Sequence, residues 1–344
     1  MSHTGLSNVR ARPQVMDIVR AVDSLIFDVD GVLVDVSQSI RIVNVETVRI
    51  YLSQVLGWPA HSPARQPAGS CCEPEDVDEL KRTPGFNDDW AVTKCLVLLC
   101  LAKAEKYGTN EPAKLRSLPP TVSEMAQELR KSLGGYGGFV EMALSGLDEK
   151  ARRAALANWR GETIVELFKD VYAGEENVRR FYGREAKHYR GPGFFRFERP
   201  IADAQRLAKA PWKMGLYTGK LWGETVAALE LVGADDIFDR ARAVVADDGI
   251  LKPDPRGLQQ VAAVLQSKAA IFVGDGPDDT EAVRRYTESA SPQDPPVLGC
   301  SVPYQAGSGA DLRDFQPGID IVAPDVNALI DWLERAQAAS GSPG

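Results

Sequence analysis

Asp28-Val29-Asp30-Gly31 follows directly on the apolar run Ser24-Leu25-Ile26-Phe27. A short apolar run bounded by a turn signal reads as a buried strand, so two carboxylates stand at its C-terminal end. In a continuing strand, successive side chains point to opposite faces. Gly31 lets the chain turn, which allows both carboxylates to reach one cleft. Two negative charges buried side by side are costly unless a cation or a proton compensates them. A divalent metal with a shared chemical task is the natural resolution. Asp and Gly also end strands as ordinary turn formers, so the motif alone leaves that bland reading open.

Three further strand ends narrow the choice. Lys213-Met214-Gly215-Leu216-Tyr217 runs into Thr218-Gly219. Ala243-Val244-Val245-Ala246 is followed by Asp247-Asp248-Gly249 and then Lys252-Pro253. Ala269-Ala270-Ile271-Phe272-Val273 ends in Gly274-Asp275-Gly276-Pro277-Asp278-Asp279. From residue 200 onward strand and helix patterns alternate, closing with Asp320-Ile321-Val322 and a helix over 325–336. Alternation of this kind means a parallel sheet with helices on both faces. Ligands of open parallel sheets bind outside the carboxyl ends of the strands, where all four motifs fall.

Between the first and second of these strands lies a block with no strand pattern. Ile40, Val43, Thr47, Val48, Tyr51 and Val55 recur at helical spacing, with Ser37 or Ser39 as N-cap, and Gly57-Trp58-Pro59 ends that helix. Residues 59–79, rich in Pro, Ala, Ser and acids, read as a long exposed loop. Trp90 to Ala104 reads as a buried helix. Thr121-Val122-Ser123-Glu124 has the form of a capping box. Gly134-Gly135-Tyr136-Gly137-Gly138 breaks the helix that follows it; no strand precedes it, so it reads as a hinge or turn rather than a phosphate loop. Further helices are predicted at about 148–159, 161–171 and 175–182. The domain reading is therefore a discontinuous α/β core, 16–36 and 199–338, with an all-helical insertion at 37–198 and flexible termini at 1–15 and 339–344.

Bulk properties set limits. The 344-residue chain is long enough for one large domain or two ordinary ones, and 44% hydrophobic with 26% charged residues is the balance of a soluble globular protein. A net charge of −8 with no basic stripe argues against a nucleic-acid partner. No stretch has the length to span a bilayer and the start of the chain has no signal-type apolar core, so no membrane association is expected. Cys71, Cys72, Cys95, Cys100 and Cys300 are odd in number and irregularly spaced, which suggests no disulfide framework and a reducing, cytoplasmic setting. Cys71-Cys72 lacks partners at metal-ligand spacing and reads as part of a loop. His3, His61 and His188 stand in no motif that suggests serine or cysteine hydrolase chemistry.

The ordered set of D-x-D, Thr, Lys and an Asp cluster resembles the haloacid dehalogenase superfamily, in particular its phosphatase-like members with a helical cap after the first strand. The resemblance covers residues 20–40 and 200–290. It implies a Rossmann-like core, with the insertion as a cap. It further implies that Asp28 attacks phosphorus to form an aspartyl phosphate, and that Asp30 protonates the leaving oxygen and then takes a proton from water. Thr218 and the Gly219 amide would bind the phosphoryl group and Lys252 would neutralise charge. Mg2+ would be held by Asp28, the Asp30 carbonyl and Asp275, with Asp279 acting through a metal-bound water and Asp278 the weaker candidate. Bland readings stand beside these: Thr218 as a cap of the next helix, Lys252 as a loop residue, Asp278 or Asp279 as an N-cap.

As the resemblance implies, dehalogenases lack the second Asp, so Asp30 favours phosphoryl transfer. The expectation is a Mg2+-dependent phosphatase acting on a small-molecule phosphomonoester such as a sugar, polyol or amino-alcohol phosphate. The alternatives are a phosphomutase of the same family or a non-catalytic metabolite-binding relative. A phosphonatase would use a cap lysine, and Lys94, Lys103 and Lys106 lie there with nothing to distinguish them. A protein phosphatase is disfavoured by the large insertion. Substrate contacts are expected from Asn87 and Asp88 in Arg82–Trp90, with Asp88 or Asp89 equally suited to N-capping. Arg184, in the basic and aromatic stretch that includes Arg179, Arg180 and Phe194, would bind a second anionic group or else belong to a solvated helix face. No feature sets the oligomeric state.

Overall fold

The computed structural model describes residues 9–59, 70–86, 88–132, 134–303 and 315–339. The contacts divide the chain into two compact units, one of residues 1–36 with 199–344 and one of residues 37–198.

The first unit is α/β. Its strands are β1 (Arg10–Ala11), β2 (Ser24–Phe27), β3 (Val34–Asp35), β4 (Arg199–Pro200), β5 (Lys213–Tyr217), β6 (Ala243–Val244), β7 (Ala270–Gly274), β8 (Val297–Ser301) and β9 (Ile321–Val322). Seven form one sheet in the order β1-β9-β8-β7-β2-β5-β6, parallel throughout except for β1 against β9. β3 and β4 make a separate antiparallel pair. β2 lies between β7 and β5, with Phe27 level with Leu216 of β5 and Val273 of β7. Its side chains alternate between two cores, as a strand period of two requires. Leu25 and Phe27 join the helices Met16–Ala21, Trp222–Val232 and Val326–Ala338, whereas Ile26 joins Arg256–Val264 and Pro277–Ser289. Coverage on both faces is why these strands read as unbroken apolar runs.

The second unit is helical among its described residues. Its central helix, Asp89–Tyr107, is buried along most of its length and stops at Gly108, whose φ of +62° suits a left-handed C-terminal residue. The Thr121 capping box forms in both directions: the Thr121 amide donates to Glu124 at 2.7 Å and the Glu124 amide donates to the Thr121 hydroxyl at 3.2 Å. The helices predicted at 161–171 and 175–182 meet end to end at Gly174 (φ +70°, ψ 165°). A Cβ there would stand 2.0 Å from the Gly193 amide nitrogen, so only glycine fits. Among the described residues no helix is long and apolar enough to cross a membrane.

Several expectations need correction. Arg10–Ala11 is a strand, not part of a loose arm; Arg12 fixes it by donating to the carbonyls of Ile319 (2.9 Å) and Gln316 (3.0 Å), a tie too long-range to leave a periodic signal. Residues 1–8 and 340–344 lie outside the described set. Pro74–Lys81 is a helix inside the stretch read as a loop, started by Pro74 at its first turn and by Asp76, which accepts from the Glu73 amide at 2.8 Å. Cys71 and Cys72 are buried rather than in a flexible loop. The Gly134–Gly138 segment opens the helix Gly135–Leu144 instead of serving as a turn. Gly85 approaches it closely, since a Cβ on Gly85 would lie 3.1 Å from the Gly135 Cα. Strand β8 left no separate expectation, because Val297-Leu298-Gly299-Cys300-Ser301 carries a glycine and no alternation.

Candidate active site

The carboxyl ends of β2, β5 and β7 bring the motif residues together within the α/β unit. The Asp28 amide donates to the Val273 carbonyl at 2.9 Å, which fixes the backbone where the sheet ends. The chain then turns: the Leu33 amide donates to Val29 O at 2.8 Å, and the Gly31 amide to Val34 O at 2.8 Å. Gly31 has φ +73°, and a Cβ there would lie 2.0 Å from Asp275 Oδ2. Both the turn and the space for Asp275 therefore depend on glycine. Gly31→Ala should cut kcat by about 100-fold through displacement of Asp275. The strained φ should also cost about 1–2 kcal/mol of stability. Steady-state kinetics and a denaturant melt on the same preparation would check both, and wild-type kinetics would remove Gly31 from any positioning role.

Asp28, Asp275 and Asp279 are all buried, and each offers a carboxylate oxygen within 4.8 Å of the others. Lys252 answers part of this charge, with Nζ 2.6 Å from Asp28 Oδ2 and 2.6 Å from Asp279 Oδ1. Burial opposes the Lys252 charge, but Asp279 and Asp28 outweigh it and hold the pKa above its ordinary value. Asp279 is pushed up by burial and by Asp28, against the pull of Lys252. Its other oxygen accepts from the Gly276 amide at 2.8 Å, so it caps the helix Pro277–Ser289 as well. Asp278, also buried, stands in the same first turn. The three carboxylates form a buried cluster of hard oxygen donors of the kind that can hold a divalent metal ion.

Asp30 points to a second buried cation. Lys220 Nζ lies 2.9 Å from Asp30 Oδ1, with the lysine side chain 4% exposed. The sequence reading missed Lys220; two residues past Thr218 and just before a helix, it looks like an ordinary solvated lysine. Thr218 is buried at the end of β5, its amide donating to Val244 O at 3.0 Å and its hydroxyl accepting from the Lys220 amide at 3.3 Å. It does not cap the next helix. Glu224 does that, accepting from the Leu221 amide at 3.0 Å, while Asp247 takes the Trp222 amide at 2.6 Å. Gly219, next to Thr218, is exposed.

Of the residues expected to touch substrate from the helical unit, Asn87 lies outside the described residues. Asp88 caps the helix Asp89–Tyr107, accepting from the Trp90 amide at 2.8 Å. Arg184 is corrected from an anion-binding group to a structural one. It pairs with the fully buried Asp170 at 2.6 Å and also donates to the carbonyls of Glu166 and Glu185. Asp170 in turn accepts the amides of Lys187 (2.8 Å) and His188 (2.7 Å), gathering the chain after the helix Gly161–Tyr182 around one carboxylate. Asp170→Ala should destabilise the protein by about 3–5 kcal/mol, since it strands a paired arginine and two amides. A denaturant titration would measure this, and a loss under 1 kcal/mol would show the pair to be incidental.

The family model described as haloacid dehalogenase-like hydrolase matches residues 194–286. Pyrophosphatase PpaX of Listeria welshimeri is 25% identical over 162 residues, 46% of this chain and 69% of that protein. Phosphoglycolate phosphatase of Cereibacter sphaeroides is 33% identical over 102 residues, 28% of this chain and 45% of that protein. The chain thus spans less than half the length of the second relative. Phosphatase Tt82 from Thermococcus thioreducens shares the fold, with a TM-score of 0.52 and 23% identity over 93% of this chain and all of that one. The strand-end residues and the doubly covered parallel sheet agree with the match of residues 194–286 to the haloacid dehalogenase-like hydrolases.

Proposed function

We propose that this hydrolase is a phosphatase that cleaves a small phosphorylated metabolite through an aspartyl phosphate on Asp28. The observation that carries the reading is the pairing of Asp28 with buried Lys252 at 2.6 Å, beside a second carboxylate, Asp30, held by its own lysine at 2.9 Å. A pure binding site has no need of an acid next to a nucleophile. The names of both curated relatives point the same way, one to pyrophosphate and the other to phosphoglycolate.

Asp28 attacks phosphorus; a bond from its carboxylate oxygen forms as the bond to the leaving oxygen breaks. Asp30 gives its proton to that oxygen. Water then attacks the phosphorus and gives a proton to Asp30, and the bond to Asp28 breaks to release phosphate. Lys252 neutralises charge on Asp28 and the transferred group, while the Thr218 hydroxyl and Gly219 amide donate to its equatorial oxygens. Mg2+, held by Asp28, Asp275 and the Asp30 carbonyl with Asp279 behind them, would supply positive charge against the phosphoryl oxygens.

The direct test is phosphate release from a panel of small phosphomonoesters, including p-nitrophenyl phosphate, with Mg2+ and with EDTA. Mg2+-dependent release with preference for one metabolite supports the reading, and none from folded protein overturns it. Asp275→Asn should raise the Mg2+ concentration for half-maximal activity by about 10–100-fold, the usual scale for a weakened metal shell. An unchanged Mg2+ titration would take Asp275 out of the metal site.

A further inference from the structure

The helical unit contains a cavity of about 320 Å³ lined only by residues between Cys71 and Ser123. One wall is apolar, from Leu96, Leu99 and Leu115; the other carries Lys103 and the start of the helix Val122–Ser132. Lys103 is the anomaly. It is 4% exposed, and lysine is almost never fully buried unless paired. Its ammonium has three donors, and its one hydrogen bond among the described residues goes to the neutral Leu115 carbonyl at 3.0 Å, with no ion pair. Residues 60–69, which precede the cavity in sequence, contain no acid. Asp76 shares the wall but is already engaged, accepting from the Glu73 amide at 2.8 Å and facing Arg116 at 3.7 Å.

An uncompensated ammonium on a cavity wall is costly unless it is neutralised or meets an anion. Burial pushes the Lys103 pKa down, against the opposing influence of the carboxylates of Asp76 and Glu124. The surroundings favour an anion as partner. Cys100 adds no rival charge, because its hydrogen bond with Cys71 and its burial hold it well above its ordinary pKa. The first turn of Val122–Ser132 adds partial positive charge on the same side, although its cap leaves it a field rather than a set of free amides.

We propose that this cavity binds a small organic monoanion, a carboxylate with a short aliphatic body, with the carboxylate on Lys103 and the body against Leu96, Leu99 and Leu115. One uncompensated cation matches one negative charge. A phosphomonoester dianion needs further charged donors, and Arg116 is already taken by Glu73 and Asp76. The volume equals the share of about ten water molecules in the liquid, which limits the occupant to a short chain.

Calorimetric titration of the full chain with hexanoate, and with 1-hexanol as its uncharged counterpart, tests this. Wild type should bind one hexanoate, and bind hexanol at least about tenfold more weakly. Lys103→Met should weaken hexanoate by at least about tenfold and remove the rise in Tm that hexanoate gives wild type. Ala113→Leu, at an exposed position on the cavity rim, keeps the charge and narrows the space, so it should weaken hexanoate too. Absence of hexanoate binding by folded wild type at millimolar concentration overturns the proposal, as does wild-type affinity in Lys103→Met. If Lys103→Met does not fold, wild-type affinity in Ala113→Leu overturns it.

Discussion

Asp28→Asn should lower turnover by about 10⁴-fold or more, the scale on which loss of a covalent nucleophile is felt, or about 5.5 kcal/mol of activation free energy. The amide keeps the size and shape of the carboxylate but cannot form the aspartyl phosphate. The fold should survive. The backbone bond from the Asp28 amide to Val273 remains, and Lys252 keeps Asp279 at 2.6 Å. The variant removes one of three crowded carboxylates, so its Tm should equal or exceed that of wild type. The measurement pairs steady-state turnover on the best substrate with a thermal melt. Turnover within tenfold of wild type would end the assignment of Asp28 as nucleophile, whereas loss of activity together with loss of folding would say nothing of chemistry. Mass spectrometry after a rapid quench adds an independent readout, since wild type should carry a phosphoryl group on Asp28 and the variant none.

How much of this was readable from sequence depends on how local each cause is. Ser24–Phe27 is a strand because Leu25, Ile26 and Phe27 end in a turn, and that signal is complete within eight positions. The signals after β5, β6 and β7 are equally local, which is why Thr218, Lys252 and Asp275 stand out beside Asp28 without any distance being known. Lys220 was not, because its importance lies in a contact with Asp30 across 190 positions of chain. The strand Arg10–Ala11 depends on carbonyls more than 300 residues away, and two residues carry no period. Arg184 misled for the opposite reason. A basic and aromatic stretch advertises anion binding, and the buried Asp170 that consumes its charge stands fourteen positions earlier with nothing in its neighbourhood to mark it as buried. Lys103 shows the same limit: the apolar pattern over Trp90–Ala104 predicts a buried helix, but nothing in it says that one of its lysines lines a cavity.

Asp30→Asn should lower turnover of an alkyl phosphate by about 10²–10⁴-fold, the usual contribution of a placed acid or base. The loss should depend on the leaving group, and this separates a chemical role from a structural one. An alkoxide leaves only if it is protonated, so an alkyl phosphate needs the acid. p-Nitrophenolate leaves without help, so formation of the aspartyl phosphate from p-nitrophenyl phosphate should be nearly as fast in the variant as in wild type. Hydrolysis of the intermediate still needs Asp30 as base toward water. The variant should therefore release p-nitrophenol in a burst of one equivalent and then slow, with the phosphoryl group trapped on Asp28. Lys220 bears on the same question, because its ammonium, 2.9 Å from Asp30 Oδ1, would be left facing an amide. If that mattered mainly for folding, both substrates would lose activity by the same factor and no burst would appear. A burst with p-nitrophenyl phosphate alongside a steep loss on the alkyl ester would place Asp30 in both half-reactions, and equal losses would reduce it to a partner that holds Lys220 in place.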